Sequence, residues 1–422
     1  MKTGFRLRYF YSLMGLLFTV NAWAVETLRL QHEDLPRLVQ GKNQSVSGTK
    51  LMTEASEQRT GHLVRSFLPS VRAHAGGETF QTGPYGTMTQ PFGALEARVN
   101  LYQGGRDALE EDIRKGQVTL SNAIERRTFQ SELKEARRTF WNLIFVREMI
   151  AILKDAKTQN ETNLSAATRR ISRGLTGKTD RLEFEINSSR IREDIASLEH
   201  EDLMVEIKLA SVLGLPLDTQ FETPQVAPHE HHEQETTMKL AAETNQEVQS
   251  LQANSQIASA QKGINQRWWM PSLDVYSEYA LFTLREREYL SLQDRNDIAV
   301  GVRLTLNLFD GLQSKNAAST FAIQAEGLGQ QASQKARAVE AEFRIAQEEM
   351  KHDHELIHEA ERRIEQGKVY LASTLDEYDR GVKNSPDVLG ATERQVAFRR
   401  RYAELRRDYH IARGDLLAVL GK

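Results

Sequence analysis

Histidine and carboxylate side chains are concentrated in two places where they could bind a metal ion. His229, His231 and His232 share a run of five residues with two glutamates, and imidazole together with carboxylate suits zinc or copper. A solvated connector explains the same run without any metal. His354 and His358 are spaced to lie one turn apart on a helix, which would let them share a metal, but the sequence offers them no third ligand.

The chain shows no arrangement typical of an enzyme. Residues 174–179 end in Gly-Lys-Thr, but they lack the longer glycine spacing and the preceding strand of a phosphate-binding loop. The absence of cysteine removes thiolate chemistry and disulfides, and the serine, histidine and aspartate residues show no catalytic spacing. We therefore expect no catalytic site and no cofactor.

Residues 1–24 have the features of a secretory signal peptide. A basic start precedes an apolar run that is too short to span a bilayer as a helix, and Ala22-Trp23-Ala24 fits a cleavage site. A membrane anchor is the alternative. The formal charge of the chain is −3, and it becomes more negative without the basic leader, which excludes the footprint of a nucleic-acid-binding protein.

Four segments, at about 68–76, 94–103, 270–281 and 297–309, alternate between aliphatic and polar residues. A strand with one aliphatic and one charged face is typical of a β-barrel that has lipid outside and water inside. Aromatic residues at the ends of these segments favour a membrane interface. The alternative is a set of half-buried strands in a soluble sheet.

The segments between the paired strands, about 76–93 and 282–296, are long and polar, and they predict external loops. Four strands cannot close a barrel, because small barrels need about eight or more. The chain must therefore oligomerise if it forms a barrel, and three copies with twelve strands are the simplest solution.

Most of the remaining sequence predicts helices. Residues 106–173 and 312–380 contain no proline, and each stretch would span on the order of 100 Å as a helix. Apolar residues recur in heptads in the segment that follows each stretch, which predicts coiled-coil packing between neighbouring helices. The predicted fold class is thus mainly α with a small β part.

The second half of the chain repeats the first half in the same order. Asn-Leu-Tyr-Gln-Gly at 100–104, for example, returns as Asn-Leu-Phe-Asp-Gly at 307–311. Each unit reads helix, strand, loop, strand, very long helix, turn and long helix. We expect a first repeat at 25–215, a proline-containing connector at 216–236 and a second repeat at 237–422.

Short motifs at matching places give the repeats a family resemblance. Leu-Pro-Ser at 68–70 and Met-Pro-Ser at 270–272 precede the first strand of each unit, and Arg-Gly-Leu at 173–175 and Tyr-Asp-Arg-Gly at 378–381 end the long helices. Their order and spacing resemble the TolC-like outer membrane efflux family. The resemblance implies a homotrimer with a twelve-stranded outer membrane β-barrel, continued by a twelve-helix periplasmic α-barrel.

The turns between the long helices and their return helices lie farthest from the strands, at 173–180 and 380–387. In the family these tips meet a periplasmic adaptor, also called a membrane fusion protein, and constrict the tunnel. Glycine fits a helix end that needs a left-handed residue, and aspartate fits the start of a helix, so capping alone would explain part of the pattern. The docking candidates are Arg173, Gly174, Thr179, Asp180, Arg380, Gly381, Ser385, Pro386 and Asp387.

The resemblance also implies a polar gate at the tips. The matching positions are Tyr378 and Lys383 on the second tip and Thr179 and Asp180 on the first. The family pattern has arginine where this chain has Lys383, and lysine cannot form a planar bidentate contact. The family also has a ring of acidic residues on the second return helix, which would use Asp387 and the residue three positions later. That residue is Gly390 in this chain, so only Asp387 matches.

These observations predict an exit duct in the outer membrane of a Gram-negative bacterium that extends into the periplasm. It would be a passive conduit for small molecules or secreted substrates, served by an adaptor and an inner membrane pump of the RND, ABC or MFS type. The alternatives are a periplasmic coiled-coil structural or adaptor protein without a barrel, and a heavy-metal-specific efflux channel. The sequence does not identify the cargo.

Overall fold

A computed structural model describes residues 27–82, 86–174, 177–224, 244–281 and 296–421. The predicted leader, the histidine run at 229–233 and all but the last residue of the predicted loop at 282–296 lie outside these residues.

The described elements are two groups of strands and eight α-helices. In chain order they are β1 (Thr27–Arg29), a 3-10 turn (His32–Asp34), α1 (Leu35–Lys42), α2 (Gln44–Glu57), α3 (His62–Arg65), β2 (Ser70–Thr82), β3 (Gly86–Gln103), α4 (Arg106–Ser172), α5 (Lys178–Leu213), β4 (Gln220–Glu222), α6 (Gln246–Gln266), β5 (Ser272–Leu281), β6 (Asn296–Thr305), α7 (Gln313–Asp379) and α8 (Ser385–Val419).

Four of the strands form one antiparallel sheet in the order β2-β3-β5-β6. Two hairpins, β2-β3 and β5-β6, meet where β3 pairs with β5. Pro69 and Pro271 each stand one residue before a strand that opens a hairpin, where the missing amide hydrogen costs no ladder bond. Strands β2 and β6 are the two edges of the sheet within the described residues.

The first hairpin is longer than the alternation predicts. Strands β2 and β3 pair continuously from Ser70↔Arg98 to Thr82↔Gly86, so most of the segment predicted as an external loop at 76–93 is strand. That part of the prediction was wrong. The segment is polar and has no aliphatic face, so its pairing depends on backbone hydrogen bonds, which leave no mark in hydropathy.

The long helices α4 and α7 have 67 residues each, and each extends on the order of 100 Å. Both begin directly after two consecutive left-handed residues that turn the chain out of the sheet. Gly104 and Gly105 make this turn before α4, and Gly311 and Leu312 make it before α7. Leu312, with φ 68°, is the one non-glycine residue of the described chain at positive φ.

The long helix α4 packs against helices from both halves of the chain, and α7 packs against helices of the second half. Helix α4 packs against α2, α5, α6 and α8, and α7 packs against α6 and α8. The largest buried cluster includes Leu133, Phe140 and Ile144 of α4. It lies where α1, α5 and the small β1-β4 pairing meet α4. None of the described helices combines the length and the apolar composition needed to cross a bilayer.

The end of α5 fits closely against the N-terminal helices. Gly214 caps α5 with φ 70°, and a Cβ atom placed there would lie 2.2 Å from the carbonyl oxygen of Lys42. Gly311 has a similar φ of 67°, but a Cβ atom there would have no neighbour within 4 Å. Comparing substitutions at Gly214 and Gly311 therefore distinguishes the cost of the left-handed backbone, which both share, from the cost of the steric clash, which only Gly214 has.

We expect Gly214→Ala to destabilise the protein more than Gly311→Ala does. The left-handed conformation costs an alanine about 1–2 kcal/mol at either site, and only Gly214→Ala must also displace the backbone at Lys42. Thermal unfolding of the purified variants, followed by circular dichroism, measures the difference. Equal midpoints would show that the contact between α5 and α1 is adjustable.

Candidate functional site

The sheet has two chemically different faces, because its register brings like residues together. Val99 pairs with Val275, which pairs in turn with Val302. On the edge strand β6, the aliphatic side chains of this face are largely exposed within one chain, at 72% for Val300 and 67% for Val302. The aliphatic residues of the alternating segments thus lie together on one face of the sheet, and this face is uncovered at β6.

The opposite face carries charged and aromatic side chains that contact each other across the strands. Arg98 Nη2 lies 3.7 Å from Asp274 Oδ2, and the Arg303 guanidinium lies 4.6 Å from the centre of the Tyr276 ring. A Cβ atom at Gly301 would be 2.8 Å from the Tyr276 hydroxyl, so that ring covers the glycine. Polar side chains on this face and aliphatic ones on the other match a strand between water and lipid.

The first tip joins α4 to α5. Gly174 has φ 71° and donates its amide to the carbonyl of Ile171, as expected for glycine at a helix end. Helix α5 begins at Lys178, and its N-cap residue, Gly177, provides no side-chain cap. Arg173 and Thr179 are exposed.

The second tip, between α7 and α8, is capped at both ends. The amides of Gly381 and Val382 bond to the carbonyls of Tyr378 and Glu377, both at 2.9 Å, which is the Schellman pattern with a left-handed glycine. Helix α8 begins with a capping box, in which Asn384 accepts from the Asp387 amide and Asp387 accepts from the Asn384 amide. Asp387 therefore serves as a cap of its own helix.

Asp180 differs from Asp387, the matching residue of the second tip, because it contacts the other tip. It lies in the first turn of α5, and its carboxylate accepts a hydrogen bond from the Ser385 hydroxyl at 2.9 Å. Glu183, one turn further along α5, approaches the same hydroxyl at 2.7 Å. Ser385 is fully buried. Since a hydroxyl has one hydrogen, the two carboxylates share one donor, and this contact joins the first tip to the second.

Tyr378 is buried in the interface between the tips. Its ring packs edge-on against Phe184, with 6.2 Å between centroids, and near Ala167 and Val388. The Arg170 guanidinium lies 4.2 Å from the ring centre and donates to the Tyr378 carbonyl oxygen. Burial raises the pKa of the Tyr378 hydroxyl, so the ring stays neutral and suits a cation–π contact.

The structure brings only part of the predicted gate together. Of the four gate candidates, Tyr378 and Asp180 lie in the contact between the two tips, together with the docking candidate Ser385, whereas Thr179 is exposed. Within the described part of the chain, the Lys383 ammonium has no hydrogen bond or ion pair to Thr179 or Asp180. The gate that joins Lys383 to the first tip stays a prediction for contacts between chains.

Three residues in the contact between the tips were not predicted from the sequence: Arg170, Glu183 and Phe184. Arg170 places a cation beside a carbonyl of the last turn of α7, where the helix dipole is negative. Its position in the last turn of α4 was a signal, but neighbouring Arg169 and Arg173 share that signal. Only the packing distinguishes Arg170 from them. Of the remaining docking candidates, Arg380 pairs with Asp376 of its own helix, and Pro386 is exposed.

The metal candidates receive no support from the described residues. The run with His229, His231 and His232 lies outside the described residues. The rings of His354 and His358 contact each other, with centroids 4.8 Å apart. No group of three or more potential ligands is found in the described ranges of the chain.

The sequence pattern of the family described as outer membrane efflux protein matches residues 237–422. Residues 237–422 are therefore similar in sequence to outer membrane efflux proteins. The resemblance inferred from the motifs is therefore confirmed. A comparison with curated proteins finds no match.

Solved structures of outer membrane proteins share the fold along nearly the whole chain. VceC of Vibrio cholerae aligns with a TM-score of 0.79 at 13% identity, over 93% of this chain and 96% of that chain. The Campylobacter jejuni CmeC channel aligns with 0.79 at 14%, over 92% and 85%. The open state of the Neisseria gonorrhoeae MtrE channel aligns with 0.76 at 14%, over 92% and 88%. At these identities the likeness shows the fold.

We expect Val302→Arg to prevent assembly of the protein into membranes, and Thr305→Arg to be tolerated. Val302 is on the aliphatic face of β6, where arginine near the bilayer midplane costs about 2–4 kcal/mol, and Thr305 is on the opposite face of the same strand. The amount of heat-stable protein in purified outer membranes measures the effect. Equal amounts of both variants would mean that the aliphatic face of β6 does not lie against lipid.

Proposed function

We propose that three copies of the chain form a closed twelve-stranded barrel in the outer membrane and a helical tunnel through the periplasm. The observation that carries this proposal is a four-stranded sheet that, among the described residues, has two open edges and an uncovered aliphatic face. Four strands are too few to close, and an open edge in lipid leaves backbone groups without partners. Pairing β6 of one copy with β2 of the next removes all the edges.

The proposed duct is passive, because it relies on a continuous water-filled path and on no reaction. Polar side chains of the inner sheet face, including Arg98, Asp274 and Arg303, would line the barrel. Helices α4 and α7 would extend the path on the order of 100 Å. The outer membrane channels with the same fold, CmeC and MtrE, support this function. A periplasmic adaptor and an inner membrane pump would complete the export system.

The mass of the detergent-solubilised protein tests the assembly. We expect a trimer that fractionates with the outer membrane and resists dissociation at moderate temperature. Multi-angle light scattering, corrected for bound detergent, measures the mass. A stable monomer that stays soluble without detergent would overturn the duct and support a periplasmic coiled-coil protein instead.

We further propose that the contact between the tips restricts the periplasmic end of the duct at rest. Ser385 and Tyr378 of the second tip contact Asp180, Glu183 and Arg170 of the first. A hydrogen bond to a charged group contributes about 1.5–3 kcal/mol, and three copies repeat the contact around the axis. An adaptor that separates the tips would open the duct.

We expect Ser385→Ala to raise single-channel conductance in planar bilayers without changing the yield of trimer. The matched control is Thr392→Val, because the Thr392 hydroxyl is also buried on α8 but bonds to Val388 of its own helix. Conductance of both variants is measured at low and high salt. The same conductance for Ser385→Ala and the control would place the constriction elsewhere. An increase for Lys383→Ser alone would place it in contacts between chains.

A further inference from the structure

A groove lies at the junction between the sheet and the helices of the second half of the chain. It has a volume of about 460 Å³ and lies between the end of α6 and the start of α7. Its lining includes Trp268 and Trp269, the lysines Lys262 and Lys315, and Asp310. The proposed duct does not use this groove, and no predicted site residue lines it.

The groove lies at the level where the aliphatic sheet face ends. Trp269 precedes the start of β5 by three residues, and on the other side of the groove the end of β6 is followed by Leu306, Leu308 and Phe309. The side chains of Leu308 and Phe309 are exposed at 84% and 76%. They follow the aliphatic strand β6 in the chain and stand just before Asp310 of the groove lining. The two tryptophans therefore lie at the edge of the aliphatic sheet face, which is where such rings concentrate in membrane proteins.

The groove has an excess of positive charge. Lys262 and Lys315 have no ion pair or hydrogen bond of their ammonium groups within the described part of the chain. The carboxylate of Asp310 is already engaged by the amides of Leu312 at 3.0 Å and Ser314 at 2.9 Å. Two ammonium groups therefore face one carboxylate that is bound to the start of α7.

We propose that this groove binds the phosphate headgroup of a phospholipid in the periplasmic leaflet of the outer membrane. This inference rests on the proposed function, since it requires the sheet to lie in that membrane. Lys262 and Lys315 would contact the phosphate as point charges, and Trp268 and Trp269 would lie at the headgroup level. Leu308 and Phe309 would contact the acyl chains where they leave the headgroup.

The site would hold one lipid per chain at the point where the sheet passes into the helices. Basic residues at this depth attract anionic headgroups, and Asp310 could accept from an ethanolamine ammonium group. We therefore expect phosphatidylglycerol and phosphatidylethanolamine to bind, the first through charge and the second through both groups. A bound lipid would stabilise the start of α7, where the strained residue Leu312 lies.

Native mass spectrometry of the purified trimer with added phosphatidylglycerol or phosphatidylethanolamine tests the proposal. We expect up to three retained lipids in the wild type and at least about tenfold weaker retention in Lys262→Gln/Lys315→Gln. The matched control is Lys351→Gln/Lys368→Gln, which removes the same charge from α7 far from the sheet. Equal retention in both double variants would overturn the site.

Two further arms separate the possible outcomes. Inorganic phosphate at the same concentration should not displace the lipid, and complete displacement would assign the groove to a soluble anion instead. In vesicles that contain brominated phospholipid, the fluorescence of Trp268 and Trp269 should be quenched, with buried Trp141 as the unquenched background. An intact trimer without quenching would show that the groove opens into the tunnel. A monomer in the native mass spectra would instead contradict the proposed function.

Discussion

The hydrogen-bonding demand of an open sheet is the constraint on which the rest of the structure depends. Strands β2 and β6 each have one unpaired edge within the described chain, and the aliphatic face of β6 has no cover. An exposed edge with apolar side chains invites pairing with another strand. In the proposed duct, a second copy that pairs along β6 would satisfy the edge, and a surrounding bilayer would satisfy the face. Both needs would be met when the sheets of several copies join into one closed barrel.

The order of the strands then dictates the order of the helices. Each hairpin leads into a long helix, β3 into α4 and β6 into α7. Helices from the two halves meet where Arg406 of α8 pairs with Glu148 of α4. Burial raises the pKa of Glu148, and Arg406 opposes that shift. A buried pair gives little net stability, but an unpaired member would be costly, so it favours this alignment of α4 and α8 over a shifted one.

The sequence predicted most helix ends because chemically special residues mark them. Glycines or prolines stand beside the long helices and hairpins, and α4 and α7 begin and end within one residue of the predicted bounds. The extended hairpin at 76–93 was missed because backbone pairing does not depend on hydropathy. The contact between the tips was predicted in part, because Tyr378 and Asp180 matched a family pattern. The roles of Arg170 and Glu183 require packing information that no short motif contains.

The two tips differ in how far their local structure depends on the contact between them. The second tip completes its own caps, through the Schellman turn at Gly381 and the capping box of Asn384 and Asp387. The start of α5 has no side-chain cap, and its carboxylates, Asp180 and Glu183, are engaged by Ser385 instead. Separation of the tips would therefore leave the second turn intact and remove the Ser385 hydroxyl from two carboxylates of the first. A partner that offers hydroxyl or amide donors to those carboxylates would replace Ser385 at little net cost, so the proposed opening would be an exchange of hydrogen bonds rather than a loss of them.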